Sequence, residues 1–218
     1  MLNEGKVYDG GIAVEGGGAI EMTFDRTKAV RVSSVHGDFY DSTARGRVFR
    51  GGIAGAGIAP GTALATTAQA LLLWNPPGSG VNLSVIRFAH AYVSGTFGLG
   101  YWVLANYSTL LPGTNVAPGG TACVVQGANG SLSAGKGLLY NAATATAAPI
   151  FVESLGEWEG VLDGTGATQV GSIRKHEFNG SCVVIPGTAA VFTYIGGAGT
   201  SPKVAVSAIW EEVPIIGA

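Results

Sequence analysis

The chain has 218 residues, 47% of them apolar and 12% charged, with a formal net charge of −2. The apolar share excludes disorder throughout, and the lack of a basic excess excludes a general binder of nucleic acid. Glycine (36) and proline (9) together stay below the roughly 25–30% that marks low-complexity chains, so a folded domain rich in turns is expected.

Residues 1–50 carry seven basic and seven acidic side chains, 14 of the chain's 26 charges, with glycine pairs or triplets at 10–11 and 16–18. Short alternating pieces, Ile12-Ala13-Val14 and Ile20-Glu21-Met22-Thr23-Phe24, suit strands that bury little alone. This segment reads as an N-terminal docking arm, extended or folded into a small sheet. Its opening, MLNEGKVYDGG, lacks the basic-then-apolar order of a secretory signal, and no apolar run reaches 18 residues. The expectation is synthesis in a reducing cytoplasm, no membrane partner, and free thiols at Cys123 and Cys182.

Residues 51–69 form a Gly/Ala/Thr-rich connector that opens with GGIAGAGIAPG. From 70 to 218 the pattern is all-β. Apolar runs at 71–74, 81–93, 101–107, 123–125, 138–140, 150–152, 182–185, 191–195 and 204–213 alternate with turn strings such as NPPGSG, SGTFGLG and GGAGTSP. Alanine content allows helices at 62–73 and 141–148, the second too short to stand alone. Near the C-terminus Val204, Val206, Ala208 and Trp210 share one strand face. In the long run the apolar parity changes at Val85-Ile86, which requires a β-bulge or a strand that passes between sheets. The fold expected is an all-β, two-sheet, jelly-roll-like sandwich with an N-terminal arm.

Charge is unevenly placed. Across 51–152 only Arg87 and Lys136 are charged, where an average domain would carry roughly 25 such residues. A surface of Gly, Ala, Ser, Thr and Asn suits permanent contact with other chains, since burying an unpaired charge costs several kcal/mol. A homo-oligomer, trimer or dimer, is the expectation.

Candidate chemistry is sparse. GSLSAGKG at 130–137 fits GxxxxGK but ends in Gly137 where a phosphate-binding loop needs Ser or Thr to hold magnesium, and a strand-like Leu-Leu-Tyr follows. His36, His90 and His176 are isolated, and the cysteines are not in a CxxC pair, so no metal or cofactor is expected. His90 shares parity with Phe88 and Tyr92 and reads as a core histidine, whereas His176 in Arg-Lys-His-Glu reads as solvated. Glu153, Glu157, Glu159 and Asp163 surround Trp158, an arrangement a carbohydrate-active enzyme would need, although Glu157 and Glu159 fall on one strand face. Tyr8, Phe39, Tyr40, Arg45, Arg47, Phe49 and Arg50 make a cationic-aromatic set suited to docking on an acidic neighbour or sister subunit.

Three stretches resemble a family of small virion structural proteins of tailed bacteriophages. They read IAPGTALATTAQALLLWNPPGSGVNL at 58–83, AYVSGTFGLG at 91–100 and SAIWEEVP at 207–214, with GKVYDGGIAV and SVHGDFYDSTARGRVF similar as well. The resemblance implies a non-enzymatic cement or decoration protein, made in the host cytoplasm and bound to the outside of the capsid. Its implied partner is the major capsid protein, and it carries no catalytic residues. The alternatives are a tail-fibre or receptor-binding module, for which Trp102, Trp158 and the long loops could supply a ligand face, and the carbohydrate-active enzyme.

Overall fold

The computed structural model describes residues 38–107, 119–131, 135–145, 147–157, 173–197 and 199–215. The chain separates into two compact units, Met1–Asp38 and Phe39–Ala218. Among its described residues the second unit holds a short helix, α1 (Tyr40–Ala44), and eleven strands. These are β1 (Val48–Ile58), β2 (Gln69–Trp74), β3 (Val81–Ser94), β4 (Gly100–Asn106), β5 (Gly119–Ala122), β6 (Val125–Gly127), β7 (Leu138–Thr144), β8 (Ile150–Glu157), β9 (Ile173–Val184), β10 (Ala189–Gly196) and β11 (Lys203–Pro214). They form a five-stranded sheet, β6-β1-β11-β3-β9, and a six-stranded sheet, β5-β7-β2-β10-β4-β8. Among the described strands, eight of the ten connections change sheet, so the chain builds both layers together. This is the two-sheet, jelly-roll-like sandwich expected from the alternation of strands and turns.

The sheets meet over an aromatic layer. Phe88 of β3 stacks on Phe192 of β10 at 4.5 Å and 9°, and Trp102 of β4 stands 5.6 Å from Phe88. Leu71, Leu73, Leu83, Val85, Tyr194 and Trp210 fill the rest of this core. A second cluster (Leu72, Trp74, Ala105, Tyr107 and Val191 among it) covers the other face of the six-stranded sheet, with Leu64 packed against it. β2 is therefore buried on both sides, which accounts for its continuous Leu-Leu-Leu-Trp run.

The helices allowed at 62–73 and 141–148 do not form. Residues 69–74 are β2, and Asn141 pairs with Leu71 inside β7. Alanine's helical preference amounts to a few tenths of a kcal/mol per residue, and burial of β2 on two faces outweighs it.

β1 crosses the boundary expected at residue 50 and takes up the first eight residues of the expected connector. It pairs with β11 from Val48 to Ile58 and with β6 from Phe49 to Gly51. Gly52 serves close approach: a Cβ there would lie 2.5 Å from the Val206 carbonyl oxygen, whereas Gly55 supplies a positive φ of 74°. The pieces expected as strands at 12–14 and 20–24 lie outside the described residues.

The parity change in β3 is a bulge. Ile209 pairs with Arg87 and Trp210 with Val85, leaving Ile86 as the extra residue. On the other side, Val85 faces Cys182 and Arg87 faces Glu177, so residues 178–181 of β9 loop out opposite the same point.

At one end, the two glycine-rich turns after β3 and β10 close the sandwich. The Thr96 N–H donates to the Thr200 carbonyl (3.1 Å) and the Gly197 N–H to the Leu99 carbonyl (2.9 Å). A Cβ on Gly199 would lie 1.8 Å from the Thr96 carbonyl oxygen, so the turns pack backbone to backbone. Phe97 plugs the core from this end, 6.2 Å from Tyr92 and 5.7 Å from Tyr194. Phe97→Ala should therefore cost about 3–5 kcal/mol, read as a lower denaturant midpoint at unchanged slope.

Candidate functional site

The glycine-rich GSLSAGKG string binds an anion, but the anion belongs to the chain. The N–H groups of Lys136 and Gly137 donate to Glu212 Oε1 at 2.6 and 2.8 Å. Glu212 continues the inward face of β11 and is only 7% exposed. The strand β7 follows at once, so no helix N-terminus is present to hold a phosphate.

Titratable groups gather where β3, β4, β8 and β9 meet. His90 is 2% exposed, as expected of a core histidine, and stacks on Trp102 at 4.4 Å and His176 at 5.5 Å. Burial, then the neighbouring His176 and Arg174, lower its pKa to about 3. His176 differs from the solvated residue expected. It is half-buried and stacks on Phe88 at 6.0 Å, because cross-strand pairing sets it opposite that inward ring. Its pKa is lowered by burial and by Arg174, against the opposing pull of Glu153 on β8. Cys182 is buried and its thiol is pushed up to about 12, and burial raises Cys123 as well, so neither is an activated nucleophile. Among the described residues no group of three His, Cys, Asp or Glu side chains could hold a metal. Trp158, Glu159, Asp163 and His36 lie outside the described residues, and Glu157 ends β8.

The docking set proposed from sequence is divided. Tyr8 lies outside the described residues. Phe49 is core, 4% exposed and stacked on Trp210 at 6.3 Å, because β1 is an inner strand rather than an arm. Arg47 is held within the chain. Its guanidinium lies 3.6 Å from Glu211 and donates to Ser42 Oγ (3.1 Å), whose hydroxyl donates to the same carboxylate (2.6 Å). Phe39 is half-buried, and Tyr40 and Arg45 are exposed on and after α1. Arg50 alone of the set stands on the outer face of the five-stranded sheet.

That face is open. One cross-strand row reads Gln126, Arg50, Ile209, Arg87 and Glu177 over β6, β1, β11, β3 and β9. The Arg87 guanidinium is 3.8 Å from Glu177, and both side chains are over a third exposed. The next rows are built from Gly52, Ser207, Ala89, Ala205 and Ala91. These small residues floor a shallow trough of about 570 Å³. Val124 (74% exposed) and Ile173 (69%) stand at its two sides. Sequence reasoning found Arg50 but missed the trough, since its floor is drawn from three strands up to 155 residues apart.

Of the four sheet edges β5, β6, β8 and β9, the first three are poor templates for strand addition, and β9 runs twelve residues. β5 has four residues and β6 three, while the pairing of β8 with β4 is broken twice by register shifts. Comparison of the chain with protein-family models, with curated proteins and with solved structures finds no match. Fold and surface define the class, an all-β sandwich with one open sheet face.

Two outcomes follow from these clusters. Glu212→Gln leaves a weaker acceptor for one buried and one part-buried N–H group and should cost about 1–3 kcal/mol in urea unfolding. An unfolded histidine titrates near 6.5 and folded His90 near 3, so between these values the unfolded chain binds a proton that the folded chain excludes. Stability is fully present above about pH 6.5 and falls as the pH drops towards 3, by a few kcal/mol. His90→Phe should flatten that slope in unfolding curves recorded from pH 7 to pH 4.

Proposed function

We propose that this chain is a non-enzymatic structural subunit of a tailed-phage particle, a cement or decoration protein bound to the outer surface of the shell. The observation that carries the reading is the open face of the five-stranded sheet. Its trough is floored by small side chains and flanked by exposed Val124 and Ile173, whereas in the other sheet the central strands β2 and β10 are buried on both faces. Covering an exposed aliphatic side chain is worth about 1.5–3 kcal/mol, so the face stabilises whatever it meets.

The charge map supports the same reading. Ten of the 26 charges lie in residues 1–38, and only two in 51–152. In the proposal, the Met1–Asp38 unit supplies polar contacts to the major capsid protein and the sandwich supplies apolar ones. A subunit that touches two neighbours binds through raised effective concentration, and many such clamps resist internal pressure without any single strong contact.

Co-sedimentation with shells lacking this protein tests the idea. The full chain should bind in hundreds of copies per particle, and removal of residues 1–38 should weaken binding by about tenfold or more. Undiminished binding of the truncated chain would remove the arm from the proposal. A few copies per particle would favour a fibre or receptor-binding part, and no binding by the full chain would overturn the capsid role.

A further inference from the structure

The trough has a direction and a charge pattern that limit what fits it. It runs across the strands, over the middle of a sheet whose backbone groups are already used in pairing β1, β11, β3 and β9 to one another. An occupant gains no ladder hydrogen bonds there, so a β-strand has no advantage. The conformation that needs none is polyproline II, whose backbone stays solvated.

The bank of the trough carries Arg50 and Arg87 in one row, separated by Ile209. Neighbouring strands lie about 4.8 Å apart, which sets the two arginine positions roughly 10 Å from each other. A polyproline II segment brings every third residue to the same side at intervals of about 9.3 Å. Among the described residues no carboxylate lies within ion-pair distance of Arg50. Arg87 has only the long, exposed contact to Glu177, worth little and readily exchanged. Lys175 pairs with Ala89 beside the floor and adds a third cation. The floor of Gly52, Ala89, Ala91, Ala205 and Ser207 lets a backbone lie close. The volume of about 570 Å³ falls within the roughly 300–1,000 Å³ of ligand clefts.

We propose that this trough receives an extended, polyproline-II-like segment of another protein chain, whose carboxylates at every third position meet Arg50 and Arg87. The inference rests on the docking reading of the open face. Nucleic acid fits less well, since three cations beside an apolar floor give neither a continuous phosphate track nor a stacking platform.

The test uses fluorescein-labelled peptides of repeating Glu-Ala-Pro, with Gln-Ala-Pro and Lys-Ala-Pro as controls, titrated into the full chain by fluorescence anisotropy. The Glu peptide should bind about tenfold or more tightly than the Gln peptide and lose that advantage at high salt. Arg50→Glu and Arg87→Glu should each abolish the preference with unchanged thermal unfolding, Arg50→Lys should keep most of it, and Arg45→Glu, at the end of α1 and not a lining residue of the trough, should leave it intact. Equal binding of Glu and Gln peptides, equal loss in Arg45→Glu, or tighter binding of a short oligonucleotide would overturn the assignment. Failure of the full chain to sediment with shells would remove the particle reading alone and leave the peptide result standing.

Discussion

One extra residue in β3 decides which side of the five-stranded sheet becomes core. A regular strand that buried Leu83 and Val85 would send Phe88 and His90 to solvent. The bulge at Ile86 shifts the alternation, so Leu83, Val85, Phe88 and His90 all face inward. Phe88 then meets Phe192 and Trp102, and the inter-sheet layer closes. The same shift assigns Arg87, Ala89 and Ala91 to the outer face. Core and open face thus have a single origin.

The two sheets end up in different states. The six-stranded one is buried on both sides at its centre, so β2 has no polar residue between Ala70 and Trp74, while β8 at its edge exposes Ile150, Phe151 and Val152. The five-stranded one presents outward a floor of small residues beside the row of Gln126, Arg50, Ile209, Arg87 and Glu177. Its neighbours along the chain reinforce the difference. The Ser42–Arg47–Glu211 clasp ties α1 to the end of β11, and the Lys136–Gly137 amides hold Glu212 beside it. Acidic and basic groups at that corner are consumed by the fold, while Arg50 is left facing outward on the open sheet.

The all-β class, the nine apolar runs and the discontinuity at Val85-Ile86 were legible in the sequence, because strand alternation is a local property with a period of two residues. The core face of β11 was equally readable from Val204, Val206, Ala208 and Trp210, all buried. β1 was not legible. Its Gly-Gly-Ile-Ala-Gly-Ala-Gly string looks like a linker, and only the approach of the Val206 carbonyl, 2.5 Å from where a Cβ would stand, explains the glycine at 52. Phe49 was misplaced for the same reason, since an aromatic flanked by arginines reads as a docking residue until its partner Trp210 is known. His176 likewise sits among charges in sequence and against Phe88 in space.

By itself the sequence determined that this chain folds as a turn-rich β-protein with an uneven charge distribution, because burial preference and alternation are written residue by residue. Tertiary structure decided which sheet face stays open, that the glycine-rich string closes on Glu212 rather than on a phosphate, and that Arg50 and Arg87 stand in one row. Those outcomes depend on register between strands far apart in the chain. Cross-strand hydrogen bonding and the close approach of glycines set that register, and no local pattern encodes it.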